Sequence, residues 1–270
     1  MNQIRLLAVT GRHEFDEEAF FDAFERADDF CLTRAAHSKP PPGGRTTFTE
    51  DLTADAWDSI DPTEFDAVVL YDTGRVITEA QKERFLSLFD AGVGAVFLHH
   101  SIISYPRWDE YDKIVGGRYI LGRGPSRTGS GASDHEYHPE DPPYSDFRGV
   151  DPDPLEIPIK IYAKDHPITR GLDDFVIHDE AYNGLRLQPN IEPLIITTQI
   201  HAGNPYGWFH TYRNSRVVYL QIGHGPSCHY HPTYQELVQR CVRWVSKPRM
   251  SGPAQTPSSR PSRLVNGQLS

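Results

Sequence analysis

The sequence predicts an α/β protein on a mainly parallel sheet with helices on both faces. Three observations lead there. The segments "IRLLAVTG" (4–11), "FDAVVLYD" (65–72) and "GAVFLHH" (94–100) are short apolar runs, the pattern of strands covered on both sides. Between the second and third lies "TEAQKERFLSLFDAG", a helix with Thr78 as N-cap, Gln81 at the capping-box position and Gly92 just past its end. Strand, helix and strand at this spacing make a βαβ unit, whose crossover brings the two strands together in parallel.

The remaining elements follow along the chain. "EEAFFDAFERA" has helical spacing and places Phe20, Phe21 and Phe24 on one face. "KPPPGG" (39–44) is loop by composition. "YPRWDEYDKIVGGRY" predicts a short helix closed by Gly116 and Gly117. Residues 122–155 are rich in Gly, Pro, Ser and Asp, and a loop of that length is functional or disordered. "IPIKIYA", "EPLIITTQ" and "RVVYLQIG" read as strands, and "TYQELVQRCVRWVS" as an amphipathic closing helix with Leu237, Cys241 and Trp244 on one face. No internal repeat is present. The chain therefore divides into one domain, 1–248, and a tail, 249–270, whose composition predicts disorder.

Composition narrows the function classes. A net charge of −10 argues against a nucleic-acid partner, because counterion release needs a basic face. Three cysteines, Cys31, Cys228 and Cys241, are too few and too scattered for a disulfide framework or a cysteine zinc site. The apolar run near the N-terminus is too short for a signal peptide, and no segment has the length of a membrane span. A cytoplasmic protein with no membrane partner is the expectation. The thirteen histidines are more informative, since several adjoin acids.

Six segments, in order, carry a resemblance to a known family: "TGRHEFD", "GVGAVFLHHS", "WDEYDKIVGGRY", "DHPITRGL", "HDEAY" and "RVVYLQIGHG" followed by a helix ending "VRW". Together they span residues 4–246, and the chain resembles the ThuA-like (trehalose utilisation) family. The resemblance implies a doubly wound, flavodoxin-like sheet of the class I glutamine amidotransferase-like fold. Amidotransferases of that fold use a cysteine in the turn after a central strand. Here that place holds His99 and His100, so glutamine amide hydrolysis is excluded chemically.

The resemblance also implies a site at the carboxyl ends of the strands, built from His13, His99, His100, the Asp179–Glu180 pair and His224. These residue types ligate divalent metals or move protons near neutral pH. His99 aligns with the family's lone histidine. On a regular strand His99 and His100 point to opposite faces, so His100 is expected to pack or hydrogen-bond locally unless the chain bends there. The expected metal ligands are His99, Glu180 and His224, holding zinc, manganese or iron; no nucleotide cofactor is evident. The expected catalytic groups are Glu180 and His99, either of which could be the base, and Tyr182 as hydrogen-bond donor to a substrate hydroxyl. Substrate binding falls to His13, His138, Asp179 and Trp208, with His138 chosen over His135 for the family's His-Pro position and Trp208 weighed between pocket wall and core packing. His166, His229 and His231 read as structural loop residues.

Two functions of different class remain open. The first is a sugar-active enzyme (isomerase, lyase or hydrolase) on a sugar or 3-keto-glycoside, the keto sugar being an implication of the resemblance. The second is a non-catalytic module that binds a small ligand or a partner; a homo-oligomer is compatible with either.

Overall fold

The structure is a computed structural model describing residues 3–11, 13–37, 54–74, 76–120, 154–200 and 202–246. The 122–155 loop up to residue 153, with His135 and His138, and the tail after residue 248 lie outside the described residues. The strands are β1 (Ile4–Gly11), β2 (Phe30–Ala36), β3 (Ala67–Asp72), β4 (Gly94–Leu98), β5 (Gly117–Tyr119), β6 (Leu155–Ile161), β7 (Phe175–Asp179), β8 (Leu185–Leu187), β9 (Glu192–Thr197), β10 (Gly207–Tyr212) and β11 (Ser215–Leu220). The helices are α1 (Glu17–Glu25), α2 (Glu79–Asp90), α3 (Asp109–Val115), α4 (Pro226–His229) and α5 (Pro232–Val245).

Nine strands form one mixed sheet in the order β2-β1-β3-β4-β11-β10-β9-β6-β7, and β5 pairs with β8 in a small second sheet. The first five strands pair in parallel. The last four extend the sheet in antiparallel. That extension is absent from the sequence reading, which recognised β6 and β9 but neither β7 nor β10. Four successive reversals return β7 to the direction of β11, so the end of β7 faces the same edge as the ends of the parallel strands.

Period-two alternation sorts each parallel strand onto two cores. Leu6 and Ala8 of β1 join Phe20 and Phe24 of α1 and Leu237 and Cys241 of α5. Leu7 and Val9 join Phe85 and Leu88 of α2 and Tyr111 and Ile114 of α3 on the other face. Helices on both faces are why the strands read as unbroken apolar runs. The α2 capping box forms as its sequence predicts: Gln81 N donates to Thr78 Oγ1, and Thr78 N to Gln81 Oε1. Helix α3 ends at Gly116 in the left-handed conformation (φ 88°), where a Cβ would sit 2.6 Å from the Trp208 indole nitrogen.

Candidate functional site

Strand β4 stops at Leu98, two residues before the apolar run ends. His99 adopts φ 47° and opens a 3-10 turn, His99–Ile103. The bend replaces the expected strand alternation: His99 and His100 are both fully buried, at different places around the same strand end. The His99 carbonyl is held by Tyr219, whose hydroxyl donates at 3.1 Å.

The His99 ring has a fixed tautomer. Its Nδ1 lies 2.7 Å from the Gln221 carbonyl, which only accepts, so Nδ1 carries the hydrogen and the lone pair of the neutral ring is on Nε2. That Nε2 lies 3.0 Å from Glu180 Oε2 and 3.1 Å from His224 Nδ1. The triangle closes with 3.1 Å between Glu180 Oε2 and His224 Nδ1. Tyr182 donates its hydroxyl to the same Nε2 at 2.9 Å while stacking on the His99 ring and on Tyr119. Burial, reinforced by the Glu180 carboxylate, holds the Tyr182 phenol well above its ordinary pKa, so it remains a donor. Burial alone would raise the Glu180 carboxyl. The hydrogen bond with His224, the one with His99 when its Nε2 is protonated, and the charge the two rings then carry outweigh burial and hold Glu180 well below the ordinary carboxylate value.

Asp179, expected to bind substrate, is committed elsewhere. Its carboxylate is buried and accepts the backbone N–H groups of Gly223 at 2.6 Å and His224 at 2.9 Å. Burial raises its pKa, against the His99 charge and those N–H donors. Asp179 thus positions His224. The same turn is held by Tyr71, which donates to the His224 carbonyl at 2.9 Å, and by His229, whose Nε2 donates to the Gly223 carbonyl at 2.9 Å. Gly223 itself has φ 121°, a left-handed conformation that side-chain-bearing residues rarely adopt.

His13, in the loop after β1, stacks at 4.4 Å on His100 and meets the His224 ring edge-on at 5.4 Å. Burial, then the His224 and His99 charges, lowers its pKa. Trp208 is corrected from pocket wall to core: it is fully buried, donates its indole N–H to the Val115 carbonyl at 2.8 Å and packs on Tyr219. With the side chain fully buried, no ring face is open to a ligand. His166 stacks on Phe209 as a structural residue.

The structure therefore brings together His13, His99, Glu180, Tyr182 and His224, with Asp179 behind the last of these. Sequence reasoning missed Gln221, which fixes the His99 tautomer, and Tyr71 and Tyr219, which hold the two histidine turns. The tyrosines were hidden as apolar members of buried strands.

Two imidazole nitrogens and a carboxylate oxygen converging on one point suit a divalent cation. Donors around a tetrahedral zinc with bonds of about 2.05 Å stand about 3.3 Å apart, close to the spacing here. The His99 Nδ1–H bond to a backbone carbonyl is the outer support that histidine ligands usually have. His99, Glu180 and His224 are the group of such residues found among the described residues.

An α/β protein with a two-histidine, one-carboxylate centre at the carboxyl edge of its parallel strands is what fold and site define. Residues 31–245 match the ThuA family, described as trehalose utilisation, and the chain belongs to that family. The fold is shared with a ThuA-like protein from Parabacteroides merdae, with a TM-score of 0.69 and 20% identity over 95% of each chain. It is also shared with a cytoplasmic protein from Salmonella typhimurium, with a TM-score of 0.56 and 11% identity over 89% of this chain and 98% of that one. The chain is 31% identical over 134 residues to 4-hydroxyprotoasukamycin monooxygenase of Streptomyces nodosus subsp. asukaensis. That segment covers 49% of this chain and 33% of the relative, so the match spans about a third of the curated relative's length. Among the described residues no helix is long and apolar enough to cross a membrane.

Proposed function

We propose that the chain is a carbohydrate-processing enzyme that acts on a sugar or a 3-keto-glycoside through His99, Glu180, Tyr182 and His224. The trehalose-utilisation family supports the sugar, and one observation carries the chemistry. Three ligand atoms from three separate chain segments meet within 3.1 Å of one another at the edge where open α/β sheets bind ligands. Such convergence concentrates groups able to hold a cation and to move a proton.

His99, Glu180 and His224 would hold the metal, zinc, manganese or iron by donor type. When bound, it supplies a Lewis acid for a carbonyl or hydroxyl oxygen. The chain's own residues do the rest. Tyr182, fixed by stacking, points its hydroxyl at the site and donates to a substrate oxygen. Glu180, ionised at neutral pH, takes a proton from carbon beside a keto group or from a hydroxyl. Asp179 and Tyr71 keep His224 in register with both. His13, edge-on to the His224 ring, would border the substrate beside that ligand.

Fold and location belong to the same reading. The parallel order β2-β1-β3-β4-β11, with helices on both faces, supports a doubly wound, flavodoxin-like half of the amidotransferase-like type. Glutamine hydrolysis is not its reaction: the turn after β4 holds His99, while Cys31 lies on β2 and Cys228 and Cys241 are buried. A cytoplasmic location fits these assignments.

The test is solvent deuterium exchange. Trehalose, methyl glucosides and their 3-keto derivatives are incubated with the metal-loaded protein in D2O and followed by NMR. Exchange beside the keto group, or turnover, is expected in the parent protein and lost in Glu180→Gln. Binding without exchange or turnover would replace the enzyme with the ligand-binding module. Neither binding nor turnover would remove the saccharide reading.

A further inference from the structure

His100 is the residue that the fold explains least. Its ring is sandwiched between Tyr71, at 4.2 Å, and His13, at 4.4 Å, in a column that begins with Phe20 stacked on Tyr71. Both of its ring nitrogens are enclosed without a well-formed hydrogen bond, the Asp72 backbone being the polar group that faces the ring, and the Nδ1 of His13, whose ring faces the Glu14 backbone, also lacks a well-formed bond. A phenylalanine would fill this slot without that cost. Buried polar atoms are almost always paired, and an orphaned one points to an unfilled role such as an absent water, ion or ligand. Three such poorly satisfied nitrogens on two touching rings, the outer of which meets His224 edge-on, form one group rather than scattered flaws.

We propose that His13 and His100 form a second polar subsite beside His99–Glu180–His224, which takes an oxygen of a neutral polyhydroxylated ligand. Each neutral imidazole has one N–H donor and one lone pair, and a sugar hydroxyl is likewise both donor and acceptor. The pair therefore suits hydroxyls, which satisfy it in either direction. Among the described residues the ligand atoms of this pair do not gather with a third as those of His99, Glu180 and His224 do, which argues against a second cation. His13 is the half-buried outer member and lies against the fully buried His100, so a ligand hydroxyl meets His13 first. The proposal rests on the saccharide reading above and adds the residues that grip a second hydroxyl.

The signature is a substitution that stabilises the fold and weakens the ligand. His100→Phe keeps an aromatic ring in the slot and removes two enclosed polar atoms that lack well-formed hydrogen bonds. The melting temperature should rise by about 2–4 °C, because removing an unpaired buried group returns its desolvation cost. Trehalose and methyl glucoside, titrated calorimetrically into the metal-loaded protein, should bind about five- to tenfold more weakly, the worth of a lost hydrogen bond. Metal content should stay that of the parent. His13→Ala, at the outer end of the column, should weaken the same saccharides with little change in melting temperature, which keeps the test open if His100→Phe folds poorly.

A lower melting temperature in a folded His100→Phe protein would show that the nitrogens are paired in the resting state and would overturn the proposal. Parent-like saccharide affinity in both variants would overturn it too, leaving the saccharide reading intact. If the parent binds neither saccharide, both fall together.

Discussion

Replacing Gly223 with alanine should damage the fold and the site together, by an amount set by the local geometry. Gly223 has φ 121°. Its N–H donates to Asp179 at 2.6 Å. A Cβ built there would lie 2.6 Å from the Tyr234 hydroxyl, 3.3 Å from Cζ and 3.5 Å from Cε2. Two costs add. Holding alanine in that backbone region costs about 1–3 kcal/mol. Pushing the Tyr234 ring, buried in the α1–α5 core, away from the new methyl costs about 1–3 kcal/mol more. The sum, about 2–6 kcal/mol, predicts a melting temperature lower by about 4–24 °C for a chain of this size. Tyr234→Phe removes the closest atom and leaves a milder 3.3 Å contact, so the double variant should recover about 1–2 kcal/mol while the backbone strain remains. Urea titration of the four proteins gives both terms as a double-mutant cycle. A Gly223→Ala protein within 1 °C of the parent would refute the reasoning, and so would a double variant with no recovery.

The other predictions concern the centre itself. Tyr182→Phe removes the hydroxyl that reaches His99 Nε2 and keeps both stacking partners, so the melting temperature should change by less than about 3 °C. Turnover of the saccharide substrate should fall at least about a hundredfold, and parent-like turnover would strike Tyr182 from the mechanism. Glu180 gives a pH signature. Its folded pKa lies below the ordinary carboxylate value, so the folded state holds fewer protons there than the unfolded one. The ionised group thus adds stability above about pH 4.5, which is lost as pH falls towards its folded pKa. The melting temperatures of the parent and Glu180→Gln should converge on acidification from pH 6 to 3. A constant gap would mean that the carboxylate is not held by the histidines.

The parallel half of this architecture was legible because both faces of its strands are covered, which leaves unbroken apolar runs at 4–11, 65–72 and 94–98. The edge strand β2 was not: "FCLTRAA" is half exposed, and Arg34 and Thr33 break the run. Strands β7 and β10 carry histidines, His178 and His210, inside short segments whose pairing comes from partners far along the chain. The metal-type triangle was legible as a set of residue types, but its closure was not. It depends on His99 leaving the strand with positive φ, and on Asp179 clamping the Gly223–His224 turn from across the sheet. Trp208 misled because an indole beside glycine and aromatic residues looks alike in a pocket and in a core. Only its bond to the Val115 carbonyl separates the two.

The most direct test of the convergence is elemental analysis of the purified protein beside His224→Ala, a change at a side chain exposed enough to be tolerated. The account predicts about one equivalent of zinc, manganese or iron per chain in the parent, as isolated or after incubation with metal salts. The folded variant should hold far less. A parent that takes up no divalent metal would contradict it, and would leave His99, Glu180 and His224 joined by shared protons alone.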